Sequence, residues 1–166
     1  TTTTLAPLQY RLPEHLVPYL YDIIVQPYFK ADQEPLRYDA SVHIHFTCLN
    51  DTNTLVLNMK DLNLTSSQLS LLSQSGDTLL DSIEFDYDDE RQFLIAELKK
   101  DGFKANVNYT FRANFSAHIR EDNVGFYKSS YKNENGDDRW LVTSQMEPVE
   151  ARKAFPCFDE PHLKAR

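Results

Sequence analysis

The sequence predicts an all-β domain, either an antiparallel β-sandwich or a saddle-shaped sheet, with one short helical turn near the C-terminus. Three observations carry this. Two long segments alternate apolar and polar residues with period two. Aromatics are plentiful, with nine Tyr and ten Phe, while Gly is scarce at four. Only one short stretch has a helical signature. This composition favours strands over helices and argues against disorder.

Each element can be justified in chain order. Residues 1–10 form a Thr-rich lead containing Pro7, read as the remnant of a linker or stalk. The domain proper is placed at 11–166, opening on Arg11-Leu12-Pro13. Around Tyr19, Tyr21, Ile23 and Val25 the pattern is that of a strand buried on one face and partly on the other, and Pro27 suits an edge or a strand end. In 37–48, Tyr38, Ala40, Val42, Ile44, Phe46 and Cys48 share one face, opposite Asp39, Ser41, His43, His45 and Thr47. That is a sheet with one wet side. Residues 106–119 repeat the pattern, with Tyr109, Phe111, Ala113 and Phe115 on the dry face and Asn108 and Asn114 on the wet one.

Shorter strand candidates lie at 54–58, 62–72, 79–87 and 92–98. A turn is expected at 74–77 and a charged connection at 86–90. Asn-Gly at 135–136 joins 126–131 to 139–145 as a hairpin. Pro148 suits the first position of a short helix over 149–154, stopped by Pro156.

The 166 residues suffice for one domain with a real core, and the net charge is −8. So acidic a chain has no general attraction for a phosphate backbone, which argues against nucleic acid as a partner. No apolar run is long enough to span a bilayer. Cys48 and Cys157 are too few for a disulfide scaffold, and Cys48 falls on the dry face as a buried free thiol. Four Asn-x-Ser/Thr sequons begin at Asn50, Asn63, Asn108 and Asn114, where chance gives roughly one or two. They mark candidate glycosylation sites and favour an extracellular or cell-surface ectodomain.

His43 and His45 share a strand face and could chelate a metal as a pair, but no third ligand is evident, and two surface histidines is the plainer reading. There is no His-Glu-x-x-His, phosphate-binding Gly-rich loop or Gly-x-Ser-x-Gly.

The last forty residues carry more information. They run through Val124-Gly125-Phe126-Tyr127, then Thr143-Ser144-Gln145-Met146-Glu147-Pro148, then Ala151-Arg152 and Pro156-Cys157-Phe158-Asp159-Glu160-Pro161. In order and spacing this resembles the N-terminal domain of the aminopeptidase N family of zinc metallopeptidases. The resemblance extends upstream to Arg11-Leu12-Pro13 and covers most of the chain.

The resemblance implies that Gln145, Met146 and Glu147 run extended along a substrate cleft. The Glu147 counterpart binds the free α-ammonium of a peptide, and the Gln145 counterpart lines the pocket for its first side chain. The family's zinc ligands lie on a separate downstream domain, so zinc is implied for the longer protein and no metal or catalytic residue is expected in this chain. The implied partners are peptide N-termini and the absent catalytic domain, and the chain alone should be inactive, truncated before the last strands of the domain. For Glu147 a helix-entry acid facing the helix dipole is the alternative. Asp159 and Glu160 look like a catalytic carboxylate pair, but pairing with a nearby cation such as Arg152 is the expected role, and Cys157 is expected to be packed. The competing function is a non-catalytic glycoprotein module that binds a protein or carbohydrate partner through its β surface.

Overall fold

The structure, a computed structural model, describes residues 9–28, 36–71 and 78–166. The Thr-rich lead up to residue 8, Leu72 and the expected turn at 74–77 lie outside these. The described chain is almost entirely β, in three antiparallel sheets. The strands are β1 (Leu16–Tyr28), β2 (Arg37–Cys48), β3 (Thr54–Asn58), β4 (Asn63–Leu71), β5 (Thr78–Leu79), β6 (Ile83–Asp88), β7 (Phe93–Leu98), β8 (Val107–His118), β9 (Gly125–Lys132) and β10 (Asp138–Gln145). One 3-10 turn follows at Ala151–Lys153.

A five-stranded sheet, ordered β1-β2-β8-β4-β5, forms one layer. Its centre is the β2–β8 pair, in register from Arg37 opposite His118 to Cys48 opposite Val107. The expected alternation holds along both strands: Tyr38, Val42, Ile44, Phe46 and Cys48 are buried, as are Tyr109, Phe111, Ala113 and Phe115. A three-stranded sheet, β3-β7-β6, supplies Leu55, Leu57, Leu94, Ala96 and Leu98 to the same core. The Phe85 and Phe111 rings meet across the two layers at 6.5 Å. The expected sandwich is therefore the fold.

β1 is an edge strand, as Pro27 requires. Its register against β2 shifts between Pro18 and Leu20, so the alternation read from sequence does not run cleanly through it. Tyr21 and Val25 pack on the core while Ile24 stays 71% exposed. The outer edge of β1 is met by the C-terminal residue: Arg166 N–H donates to the Tyr19 carbonyl (3.2 Å), and Tyr21 N–H donates to the Arg166 carbonyl (2.8 Å).

Three local expectations need correction. The segment 79–87 is two strands, interrupted at Ser82, whose φ of 58° cannot continue a ladder. The charged connection lies further on: β6 runs through Asp88, whose carboxylate accepts from the Arg91 N–H (2.9 Å) and closes the turn. The helix at 149–154 shrinks to the 3-10 turn. The Glu150 N–H donates to the Met146 carbonyl (2.9 Å), so 147–150 form a turn and Pro148 begins no helix.

Candidate functional site

The β9–β10 hairpin forms a sheet of its own, with Gly125 opposite Gln145 at its base. Asn133 organises its connection. The Asn133 Oδ1 accepts from the N–H groups of Asn135 (3.0 Å) and Asp137 (2.8 Å), and Gly136 takes the φ of 84° that the turn needs. A two-stranded ribbon is marginal alone, and this one is held by its base. Phe126 meets the Tyr38 ring edge-on at 5.4 Å, and the Tyr38 hydroxyl donates to the Ala154 carbonyl at 2.8 Å. Arg120 N–H donates to the Phe126 carbonyl, and Lys128 N–H donates to the Arg120 carbonyl.

Gly125 is the joint between hairpin and turn. Its φ is 63°, and a Cβ there would sit 3.2 Å from the Lys153 Cβ and 3.3 Å from its carbonyl. Both the left-handed backbone and the close approach select glycine. Sequence reading noted this Gly within a motif but not the contact, which pairs positions far apart along the chain.

Gln145 is the last residue of β10, and Glu147 opens the turn that follows. Both side chains are exposed and Met146 is half-buried between them. The extended run thus ends sooner than expected. Among the described residues neither the Gln145 amide nor the Glu147 carboxylate has a hydrogen-bond or ion-pair partner. The 3-10 turn has no acid in its first turn, which removes the helix-dipole alternative for Glu147.

Beside the hairpin base is an open cavity of about 550 Å³ lined by Asp61, His118, Arg120, Glu121, Asp122 and Lys153. Its charges are largely satisfied internally: Arg120 pairs with Asp61 (2.8 Å) and Asp122 (2.5 Å). Gln145 and Glu147 are not part of its lining.

The family profile for the peptidase M1 N-terminal domain matches residues 17–166. The chain belongs to this family. Aminopeptidase N of Rattus norvegicus is 35% identical over 161 residues, covering 95% of this chain but 16% of the relative. Endoplasmic reticulum aminopeptidase 1 of Homo sapiens is 32% identical over 93% of this chain and 16% of the relative. The mitochondrial aminopeptidase 2 of Saccharomyces cerevisiae is 33% identical over 93% and 15% respectively. The chain therefore spans about a sixth of these relatives' length.

Within the M1 domain, the segment that carried the resemblance acts as a clasp. Asn58 and Cys157 exchange backbone hydrogen bonds (2.7 and 3.0 Å), and the buried Asn58 Oδ1 accepts from the Asp159 N–H at 3.0 Å. The Phe158 ring enters the core beside Phe46, and its N–H donates to the Tyr21 hydroxyl at 3.0 Å. Asp159 accepts from the Arg152 Nε (2.9 Å), the pairing expected from sequence. Glu160 accepts from the Leu12 N–H (3.1 Å) and pairs with Arg11 (3.7 Å). The two carboxylates are thus structural. Cys157 is packed as expected, and burial pushes its thiol well above the ordinary range.

The two histidines do not act together. His45 Nδ1 meets the Thr110 hydroxyl (3.0 Å) and Nε2 meets Asp22 (3.1 Å), while His43 lines a separate recess with Ser66, Gln68 and Arg112. Among the described residues no three His, Cys, Asp or Glu side chains are grouped to hold a metal ion. Nor, among them, is any helix long and apolar enough to cross a membrane.

Proposed function

We propose that residues 11–166 form the substrate-anchoring domain of a zinc aminopeptidase that removes N-terminal residues from peptides. The zinc ion and the hydrolytic groups belong to parts of the longer protein outside this chain. The supporting observation is the exposed, unpartnered Glu147 carboxylate, two residues after Gln145 at the end of β10.

The chemistry follows from the task. An enzyme that removes only the first residue must detect a cation at a fixed distance from the scissile carbonyl. A positioned carboxylate does this through a charge-assisted bond of roughly 1.5–3 kcal/mol, and a neutral amide does it more weakly. Glu147 takes that role, and Gln145 lines the pocket for the first side chain. The rigid clasp behind them and the Gly125–Lys153 contact keep both in place. We place the protein outside the cell or on its surface, on the strength of its four sequons.

The test is Glu147→Gln in the longer protein. kcat/KM for peptides with a free N-terminus should fall about 10- to 150-fold, the equivalent of that bond. The thermal midpoint should stay put, since the side chain is exposed. An unchanged kcat/KM removes the anchoring role.

A further inference from the structure

The outward side of the five-stranded sheet is rich in small polar residues. Along β2, β4 and β8 its outward residues are mostly Ser, Thr, Asn, Gln and His, with Arg37, Asp39 and Arg112 charged. Three of the four sequon asparagines sit on this one face. Asn108 lies opposite Thr47, Asn114 lies between Ser41 and Ser66, and Asn63 lies opposite Ser116. All three are exposed.

We propose that this face is a glycan-bearing shield, with N-linked glycans on Asn63, Asn108 and Asn114. In the transfer, an asparagine Nδ2 attacks the anomeric carbon of a lipid-diphosphate-linked oligosaccharide. The new N–C bond forms, the carbon–oxygen bond to the diphosphate breaks, the lipid diphosphate leaves, and Nδ2 gives up one of its two protons, which balances the negative charge of the departing diphosphate. The contacts around the acceptors survive this. The Asn108 Oδ1 still accepts from the Thr47 hydroxyl (2.7 Å), and the Asn114 Nδ2 keeps one hydrogen for the Ser66 hydroxyl (2.9 Å).

The site at Asn114 is also shaped for sugar. A shallow groove of about 500 Å³ runs past it, lined by Ser41, Thr65, Ser116, Asp39, Arg37 and Ile24. Ile24, Ser41, Asn114 and Ser66 form one row across the sheet. Ile24 is therefore two strands from Asn114, about 10 Å, a distance that a disaccharide spans. The apolar face of a sugar covers this otherwise exposed isoleucine, while the hydroxyls meet the Ser and Thr side chains. So covered, the face is closed to protein partners, and docking is left to the other side of the sandwich and to the hairpin.

The test uses the protein isolated from its natural source, in whatever length it is made. Peptide-N-glycosidase digestion in heavy-oxygen water converts each glycosylated asparagine to a mass-labelled aspartate, read by peptide mass spectrometry. Label at Asn63, Asn108 and Asn114 is the expected result. Label confined to Asn50, which lies in the turn after β2, shows that the chain met the transferase while this face stayed bare, and overturns the proposal. So does the absence of label at every sequon. In the recombinant protein secreted from animal cells, Ser116→Ala retains Asn114 but destroys its sequon, and should remove one glycan from the mass.

Discussion

The Arg152 guanidinium and the Asp159 carboxylate meet at 2.9 Å with side chains only 15% and 9% exposed. This pair closes the loop between the 3-10 turn and the segment that clasps β3. Asp159→Ala leaves the Arg152 charge largely desolvated and should destabilise the fold by roughly 2–4 kcal/mol. Urea unfolding measures this. A change within about 0.5 kcal/mol would make the pair ornamental.

Gly125 and Gly136 separate two effects of glycine. Both have positive φ, but only Gly125 has a neighbour where a Cβ would stand. Gly125→Ala should cost roughly 1–3 kcal/mol, and Gly136→Ala only about 1 kcal/mol. Thermal melts of the two variants should rank in that order, and the reverse ranking would remove the joint between hairpin and turn.

Stability should fall at alkaline pH. Burial raises the folded-state pKa values of Tyr21, Tyr38 and Cys157 above their ordinary ones. In each case the unfolded chain releases its proton first, so the contribution is complete below the unfolded pKa and declines as pH rises. The decline begins near pH 8.5 for the thiol and steepens near pH 10 for the phenols. Urea midpoints at pH 8 and pH 10.5 check this, and equal midpoints contradict it.

The isolated chain should hold an N-terminal amino acid only weakly, with Kd no tighter than about 1 mM. One charge-assisted contact does not offset the entropic cost of association. Calorimetry with a dipeptide reads this directly. A micromolar complex would mean that this domain contains a complete binding site.

The strands most legible in the sequence were those whose two faces meet different solvents. β2 and β8 lie at the centre of the main sheet with one side dry, so Tyr38 to Cys48 and Tyr109 to Phe115 record burial residue by residue. β1 was less legible because the irregularity after Pro18 shifts its register, and because an edge strand leaves residues such as Ile24 outside. Ser82 stopped a strand through a left-handed backbone that composition does not announce. The Arg152–Asp159 pair could be anticipated from opposite charges seven residues apart. The positions of Gln145 and Glu147 came from resemblance alone, since nothing in their chemistry distinguishes them from other polar residues. The Gly125–Lys153 contact and the buried Asn58 depend on packing between distant segments.

The Leu12–Glu160 bond and the meeting of Arg166 with Tyr19 and Tyr21 fasten the last residues of the sequence to β1 and to the segment just before it. Fraying of residues 12–21 therefore loosens residues 160–166 as well, although Leu12 and Glu160 stand 148 positions apart.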